Sequence, residues 1–278
     1  MHDMWAFTGG CYHYTDLGCR GYLTGCTSCS QKTEQLDCKR ESTSKHFSQK
    51  KELLSKIDKL CFTSVSSWVC DEISRTHLGQ FPQYTVWNAV PGSHSVPKPE
   101  HREGGPFRII GVASCWTEQK GISRFLALAS LLGDGFEIIL VGNASETLRE
   151  AAPKNVTFVG SISDRQELQA RYAAADLNLC LSLEETFGMT LVEAALCGTR
   201  SMGFDSTAIP YVLHKVGGIV LPVSDVTAVA ERIRELAKEH SVCRLTDDEI
   251  NGVKMEFSVE KMAENYLDIY KERLCYDA

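Results

Sequence analysis

The sequence predicts an α/β protein with a complete parallel sheet in its second part and a smaller, incomplete α/β part before it. Three observations predict this. From Arg108 to Glu239, short apolar strand patterns alternate with helical patterns, which implies a parallel sheet with helices on both faces. The loops of that region that carry glycine or glutamate follow strands, and ligands of such sheets sit at the C-terminal strand ends. Residues 1–90, in contrast, offer only about two strands and two helices, too little for a sheet covered on both faces.

In chain order, residues 1–38 show no periodicity, many glycines and aromatics, and the cysteines Cys11, Cys19, Cys26 and Cys29 in the spacing C-x7-C-x6-C-x2-C. The closing C-x2-C resembles a zinc knuckle, and four thiolates can close a tetrahedral structural zinc site. The plainer reading is four free thiols in an irregular loop. Lys45 to Leu60 is helical, with Phe47, Leu53, Leu54, Ile57 and Leu60 apolar and Lys45, Lys50, Lys51, Lys56 and Lys59 opposite. Such a helix can make peripheral contact with an anionic membrane, but Glu52 and Asp58 interrupt the basic face and favour a solvated helix. Cys61–Val65 reads as a strand, Ser66–Ser74 as a helix with Ser66 as N-cap, and Tyr84–Trp87 as a second strand ending at Asn88-Ala-Val-Pro. Residues 92–106, with Pro97, Pro99, Gly104 and Gly105, have the composition of a linker. They would join a first domain, residues 1–91, to a second, residues 107–257.

In the second domain, strands are expected at Arg108–Ala113, Phe136–Val141, Val156–Val159, Leu177–Leu181, Thr199–Gly203 and Gly218–Leu221. Helices are expected at Gly121–Leu132, Ser145–Ala152, Asp164–Ala175, Thr190–Cys197, Thr207–Leu213 and Val226–Glu239. Within residues 258–278 a last helical pattern runs from Val259 to Leu274.

Composition narrows the class. The length of 278 residues suits one large or two modest domains, and 43% hydrophobic content is ordinary for a globular chain. Net charge is −7 but uneven: the first 100 residues hold 11 Lys+Arg against 10 Asp+Glu, the remainder 18 against 26. An acidic second half argues against nucleic acid as a partner. No apolar run approaches the roughly 18 residues of a membrane span, and Met1-His-Asp-Met-Trp has no secretory pattern. The 12 cysteines then read as thiols or metal ligands of a cytoplasmic protein.

The chemistry concentrates in Ser182-Leu-Glu-Glu-Thr-Phe-Gly-Met-Thr-Leu-Val-Glu-Ala-Ala-Leu-Cys-Gly198, a loop and helix set between two strand patterns. Gly188, Met189 and Thr190 stand where a helix begins, a place suited to a phosphate. Lys120, in Glu-Gln-Lys-Gly, follows a strand and precedes a helix, so it can reach the same phosphate. Glu185 and Glu193 lie eight positions apart around Phe187-Gly188. Singly, each carboxylate is more plausibly structural, since the helix dipole alone favours one near its N-terminus; the pair shifts that balance.

This stretch resembles the E-x7-E segment of retaining glycosyltransferases of the two-domain GT-B fold, family 4 in particular, and landmarks from Arg108 to Leu221 come in the expected order. The opening His2-Asp-Met-Trp-Ala-Phe-Thr-Gly9, followed by cysteines, is similar to that of some capsule and exopolysaccharide glycosyltransferases. The resemblance implies two Rossmann-like domains, a nucleotide-diphosphate sugar as donor and a glycan or lipid-linked acceptor. It places Glu193 on the ribose hydroxyls, Glu185 by the donor sugar with His2 near it, Gly160 and Ser161 at the base, and Phe187 in the donor-binding loop. It implies front-face attack by the acceptor with the donor phosphate assisting deprotonation. It also implies a location at the inner face of the membrane as one option within the cytoplasm. No Asp-x-Asp occurs, so no cofactor is expected to be required for catalysis. The chain departs from the pattern in three ways. Ala89 and Pro91 replace residues of the usual Asn-Gly-Val-Asp, and Ser114 or Cys115 stands where an arginine is usual. The family's first strand and glycine-rich loop are missing, which implies a fragment or a first domain that works with a partner. Other readings are a nucleotide-sugar-binding module without turnover and a nucleotide-sugar epimerase. A dehydrogenase is disfavoured, because no G-x-G-x-x-G follows the first strand of either domain.

Overall fold

The fold is taken from a computed structural model that describes residues 1–31, 35–91, 105–223, 225–239 and 243–274. Most of the expected linker, residues 92–104, lies outside the described residues. The chain divides into two compact units. The first comprises Met1–Ala89, Glu184–Phe187 and Glu260–Ala278, and the second Val90–Leu183 and Gly188–Val259.

In the first unit, residues 1–42 form turns, short 3₁₀ pieces and one helical turn, α1 (Gly21–Thr24). Aromatic rings take the place of regular structure there: Phe7, Tyr14 and Tyr22 are buried, with Tyr14 and Tyr22 stacked at 4.2 Å between centroids. Helix α2 (Thr43–Ser55) follows, then β1 (Phe62–Ser64), α3 (Ser67–Ser74) and β2 (Gln83–Thr85). The two strands pair in parallel, Phe62 opposite Gln83 and Ser64 opposite Thr85. Ser66 caps α3 as expected, its hydroxyl accepting from the Val69 amide at 3.4 Å. Helix α2 is shorter than its sequence pattern. It stops at Ser55, because the chain must turn through a left-handed Lys59 (φ 59°) to enter β1. It buries Phe47 and half-buries Leu54, whereas Leu53, and Ile57 just beyond its end, stay 63% and 47% exposed.

The second unit contains β3 (Phe107–Cys115), α4 (Ile122–Leu132), β4 (Phe136–Asn143), α5 (Glu146–Glu150), β5 (Val156–Gly160), α6 (Arg165–Ala174), β6 (Leu177–Cys180), α7 (Met189–Leu196), β7 (Ser201–Phe204), α8 (Ile209–Lys215), β8 (Ile219–Leu221), α9 (Val226–Lys238) and α10 (Asp247–Glu256). Helix α11 (Val259–Leu274) closes the chain and belongs to the first unit from Glu260 onward. The six strands form one parallel sheet in the order β5-β4-β3-β6-β7-β8. Successive residues of β3 serve opposite faces, as strand geometry requires. Ile109 joins a core with Phe125, Leu128, Val229 and Ile233 on α4 and α9, and Ile110 joins one with Tyr172, Ala173 and Ala194 on α6 and α7. The sheet is therefore covered on both sides, and the near-continuous apolar character of its strands follows.

Helix α10 was not expected from periodicity. Its signal is a capping box: the Thr246 hydroxyl accepts from the Glu249 amide while the Glu249 carboxylate accepts from the Thr246 amide at 2.7 Å. Only Val253 of this short polar helix is buried, so an apolar stripe is hardly visible. Arg200 holds Glu249 at 3.2 Å, and α10 packs against α7.

Candidate functional site: the C-terminal edge of the parallel sheet

Strand β3 is followed in the sheet by β4 on one side and by β6 on the other, so the direction of winding reverses between β3 and β6. That reversal opens a crevice at the C-terminal strand ends. Short polar bonds stitch its rim. The Trp116 amide donates to the Asn143 carbonyl at 2.8 Å, Asn143 Nδ2 donates to the Ser114 carbonyl at 3.2 Å, and Ser182 Oγ donates to the Gln119 carbonyl at 3.1 Å. Gly121 starts α4 in a left-handed conformation (φ 79°), and a Cβ there would stand 2.5 Å from the Leu181 carbonyl oxygen. Only glycine lets the β3–α4 loop approach β6 so closely. Lys120, one residue earlier, is half-buried at this edge.

Across the reversal, Gly188 caps α7 with φ 92°, and Met189 and Thr190 form its first turn. Helix geometry leaves the first amides without intrahelical carbonyls, and the dipole adds positive potential. Asn178 Nδ2 donates to the Thr190 carbonyl at 3.3 Å and to Ser201 Oγ at 2.9 Å, which fixes the helix start against β6 and β7.

A cavity of about 310 Å³ opens beside α7. Its polar walls are Ser163, Arg165, Gln169, Tyr172 and Glu193, and Ile162, Leu168, Leu196, Val90 and Pro91 complete it. The Tyr172 hydroxyl donates to Glu193 Oε2 at 3.0 Å. Burial raises the Glu193 carboxyl above the ordinary carboxylate value, while the Tyr172 bond and the Arg165 charge pull it back. Tyr172 itself is pushed well above the usual phenol range by burial and by the Glu193 charge, so it remains the donor. Arg165 also donates to the Pro91 carbonyl.

The site residues expected from the sequence distribute as follows. Gly188, Met189, Thr190 and Glu193 fall together at the start of α7, and Lys120 lies in the β3–α4 loop of the same unit. Gly160 ends β5 with φ 86° and Ser161 is exposed; the cavity is lined by their successors, Ile162 and Ser163. Glu185 and Phe187 belong to the short segment grouped with the first unit. Phe187 is buried there against Trp87, 6.0 Å between ring centroids, and the Thr186 carbonyl accepts from Ser66 Oγ at 2.6 Å. His2 is exposed, next to a Met1 whose backbone bonds to the Thr63 carbonyl and the Val65 amide beside β1.

Sequence reasoning missed three side chains. Tyr172 and Arg165 meet Glu193 only through the packing of α6 on α7. Glu184 is also one, a buried carboxylate whose Oε1 accepts from the amides of Tyr14 and Thr15, both at 2.8 Å, and from the Thr15 hydroxyl. Its signal was the doubled Glu184-Glu185, which does not say which glutamate faces where. Among the described residues, Cys11, Cys19, Cys26 and Cys29 share one small cavity, but their sulfurs do not converge within 4.8 Å as a set. No helix of the described residues is long and apolar enough to cross a membrane.

The profile of the family described as "Glycosyl transferases group 1" matches residues 106–239. The chain is 32% identical over 146 residues to N-acetyl-alpha-D-glucosaminyl L-malate synthase of Bacillus anthracis, covering 52% of this chain and 37% of that protein. It is 28% identical over 210 residues to alpha-galactosylglucosyldiacylglycerol synthase of Streptococcus pneumoniae, covering 71% and 55%. It thus spans 37% to 55% of the length of these curated relatives. Among solved structures, sucrose-phosphate synthase of Thermosynechococcus elongatus superposes with a TM-score of 0.69 at 19% identity, covering 90% of this chain and 65% of that one. The Anabaena protein HepE, solved with UDP and glucose, gives 0.65 at 17% identity, covering 82% and 67%. These neighbours share the GT-B architecture, which the parallel six-stranded sheet flanked by helices and the smaller parallel sheet match. Residues 106–239, just under half of the chain, thus carry the likeness to the group 1 glycosyltransferases.

Proposed function

We propose that this chain acts in the transfer of a sugar from a nucleotide-diphosphate sugar to a glycan or lipid-linked acceptor, with retention of anomeric configuration. The observation that carries the reading is the 310 Å³ cavity with the Glu193–Tyr172 pair on its wall, beside a glycine-started helix at the sheet's winding reversal. A carboxylate is a pure acceptor, suited to two ribose hydroxyls. Tyr172 holds one of its oxygens, so the orientation is set before the ligand arrives. The start of α7 and Lys120 would take the diphosphate, whose charge grows as the glycosidic bond breaks.

In the reaction proposed, the bond from the anomeric carbon to the diphosphate oxygen breaks and its electron pair leaves with the nucleoside diphosphate. The acceptor hydroxyl bonds to the same face of the sugar, and its proton passes to the departing diphosphate oxygen. Glu185 would stabilise the sugar as positive charge develops, and His2 would hydrogen-bond it. The step needs no metal.

Calorimetry with UDP, GDP and ADP, followed by a nucleotide-release assay with candidate acceptors, separates binding from turnover. The expected result is one nucleotide preferred, and its affinity reduced in Glu193→Gln. A folded chain that binds none of them, or a folded Glu193→Gln that binds unchanged, overturns the assignment.

A further inference from the structure

The cysteine-rich opening of the chain plays no part in the site above, yet it is a built feature. We propose that Cys11, Cys19, Cys26 and Cys29 together bind one zinc ion, and that this ion fixes the loop whose backbone clamps Glu184. The four cysteines come from separate turns and line a single cavity of about 20 Å³, room for about one water-sized occupant. No carboxylate, imidazole, ammonium or guanidinium group lines it among the described residues. Tyr14, Tyr22, Ser28, Gln31 and Thr43 also line it, all neutral groups; of its residues the cysteines bind a soft metal best, and a closed set of four thiolates is a structural zinc site.

Two further observations point the same way. Two of the sulfurs already accept backbone hydrogen bonds, Cys26 Sγ from the Gly9 amide at 3.2 Å and Cys19 Sγ from the Gly21 amide at 3.4 Å. Such bonds orient the sulfur. Gly9 has no room for a side chain, since a Cβ would stand 2.9 Å from that of Cys26. Metal entry would draw the sulfurs in to Zn–S bonds of about 2.3 Å.

A rival cluster stands nearby: Asp37, Cys38 and His46 have ligand atoms within 4.8 Å of one another. It is the weaker candidate. Asp37 is exposed and accepts from the Trp5 indole, and Cys38 Sγ donates to the Gly9 carbonyl at 3.3 Å.

The consequence follows from chain order. Tyr14 and Thr15, whose amides hold Glu184, lie between Cys11 and Cys19. Residues 1–42 have little regular structure, so a metal staple supplies the order that periodic packing does not. The effect on Glu185, the next residue, rests on the proposed transferase reading; the metal site does not.

The test uses the full chain purified without chelator, with metal content, thiol count and the absorption of the cobalt-substituted protein as readouts. About one zinc per chain is expected, with the d–d and sulfur-to-cobalt absorption of a tetrahedral four-thiolate site. Cys26→Ser with Cys29→Ser should lose the metal, and Cys38→Ser with His46→Ala should keep it. Should the cysteine variant fold poorly, the cobalt spectrum and mercurial-driven zinc release from the unmutated chain read the same site. Chelation should speed amide exchange at Tyr14 and Thr15 while leaving Ile109 and Ile138 unchanged; no change at Tyr14 and Thr15 would overturn the positioning role. Substoichiometric metal after anaerobic incubation with zinc alone, loss that follows Cys38 and His46, or disulfides among the four cysteines would overturn the site.

Discussion

Glu193 lies where burial resists a charge. Its carboxyl is raised in the folded chain, so folding favours the protonated form. Stability from this group is present below the ordinary carboxylate pKa and is lost as pH rises through the raised folded value. Glu193→Gln removes that loss. The variant is expected to unfold at a higher temperature than the unmutated chain at neutral pH, with the difference vanishing in acid. Its nucleotide affinity should fall by about 1.5–3 kcal/mol, the worth of a charged hydrogen bond. Thermal unfolding across pH, paired with calorimetry, checks both halves. A gain in stability bought at the expense of binding is what a functional carboxylate gives. Lys120 makes a second residue-scale prediction. If it meets the outer phosphate, Lys120→Ala should weaken nucleoside diphosphates more than monophosphates; equal losses would place it elsewhere.

At the scale of elements, α7 carries the candidate site and α10 packs against α7. The support is local chemistry at one helix end: the Thr246–Glu249 box, with Arg200 on the same carboxylate. Thr246→Ala should cost about 0.5–2 kcal/mol in urea unfolding. Glu249 is held below the ordinary carboxylate range, chiefly by the Thr246 amide. Its contribution is therefore present above the unfolded carboxylate pKa and fades as pH falls through the depressed folded value. In Thr246→Ala, which keeps the amide, most of that pH dependence should survive. Urea titrations at neutral and acid pH read this directly.

At the scale of the molecule, the two units are held together internally by different means. The second has a six-stranded sheet covered on both faces, with Ile109, Ile110, Ile138 and Leu140 fully buried. The first has a two-stranded sheet and long stretches of turn ordered by aromatic contacts and side-chain bonds. Local opening follows such differences in burial and regular bonding. Native-state amide exchange should be slowest in β3 and β4 and fastest within residues 1–42, and limited proteolysis should cut there first. Uniform protection would mean that the turns of the first unit are better ordered than their backbone pattern implies.

The elements legible in advance share one property, that their signals are short in sequence. Six strand patterns with helices between them, the Ser66 cap and the glycine before α7 all lie within a few residues of what they specify. So did the capping box of α10, although a polar helix with one buried residue leaves little periodicity. The candidate site was legible to the same depth: Gly188 to Glu193 lie at the start of one helix, and Lys120 lies in the loop between a strand and a helix. What packing alone decided was the company those residues keep. Tyr172 meets Glu193 across 21 positions and Glu184 meets Tyr14 across 170. Phe187, expected to serve the donor loop, is buried against Trp87. Backbone geometry repeats every two or four residues, so a sequence states which face a side chain takes. Which partner waits on that face depends on how separate elements dock, and only the tertiary structure supplies that.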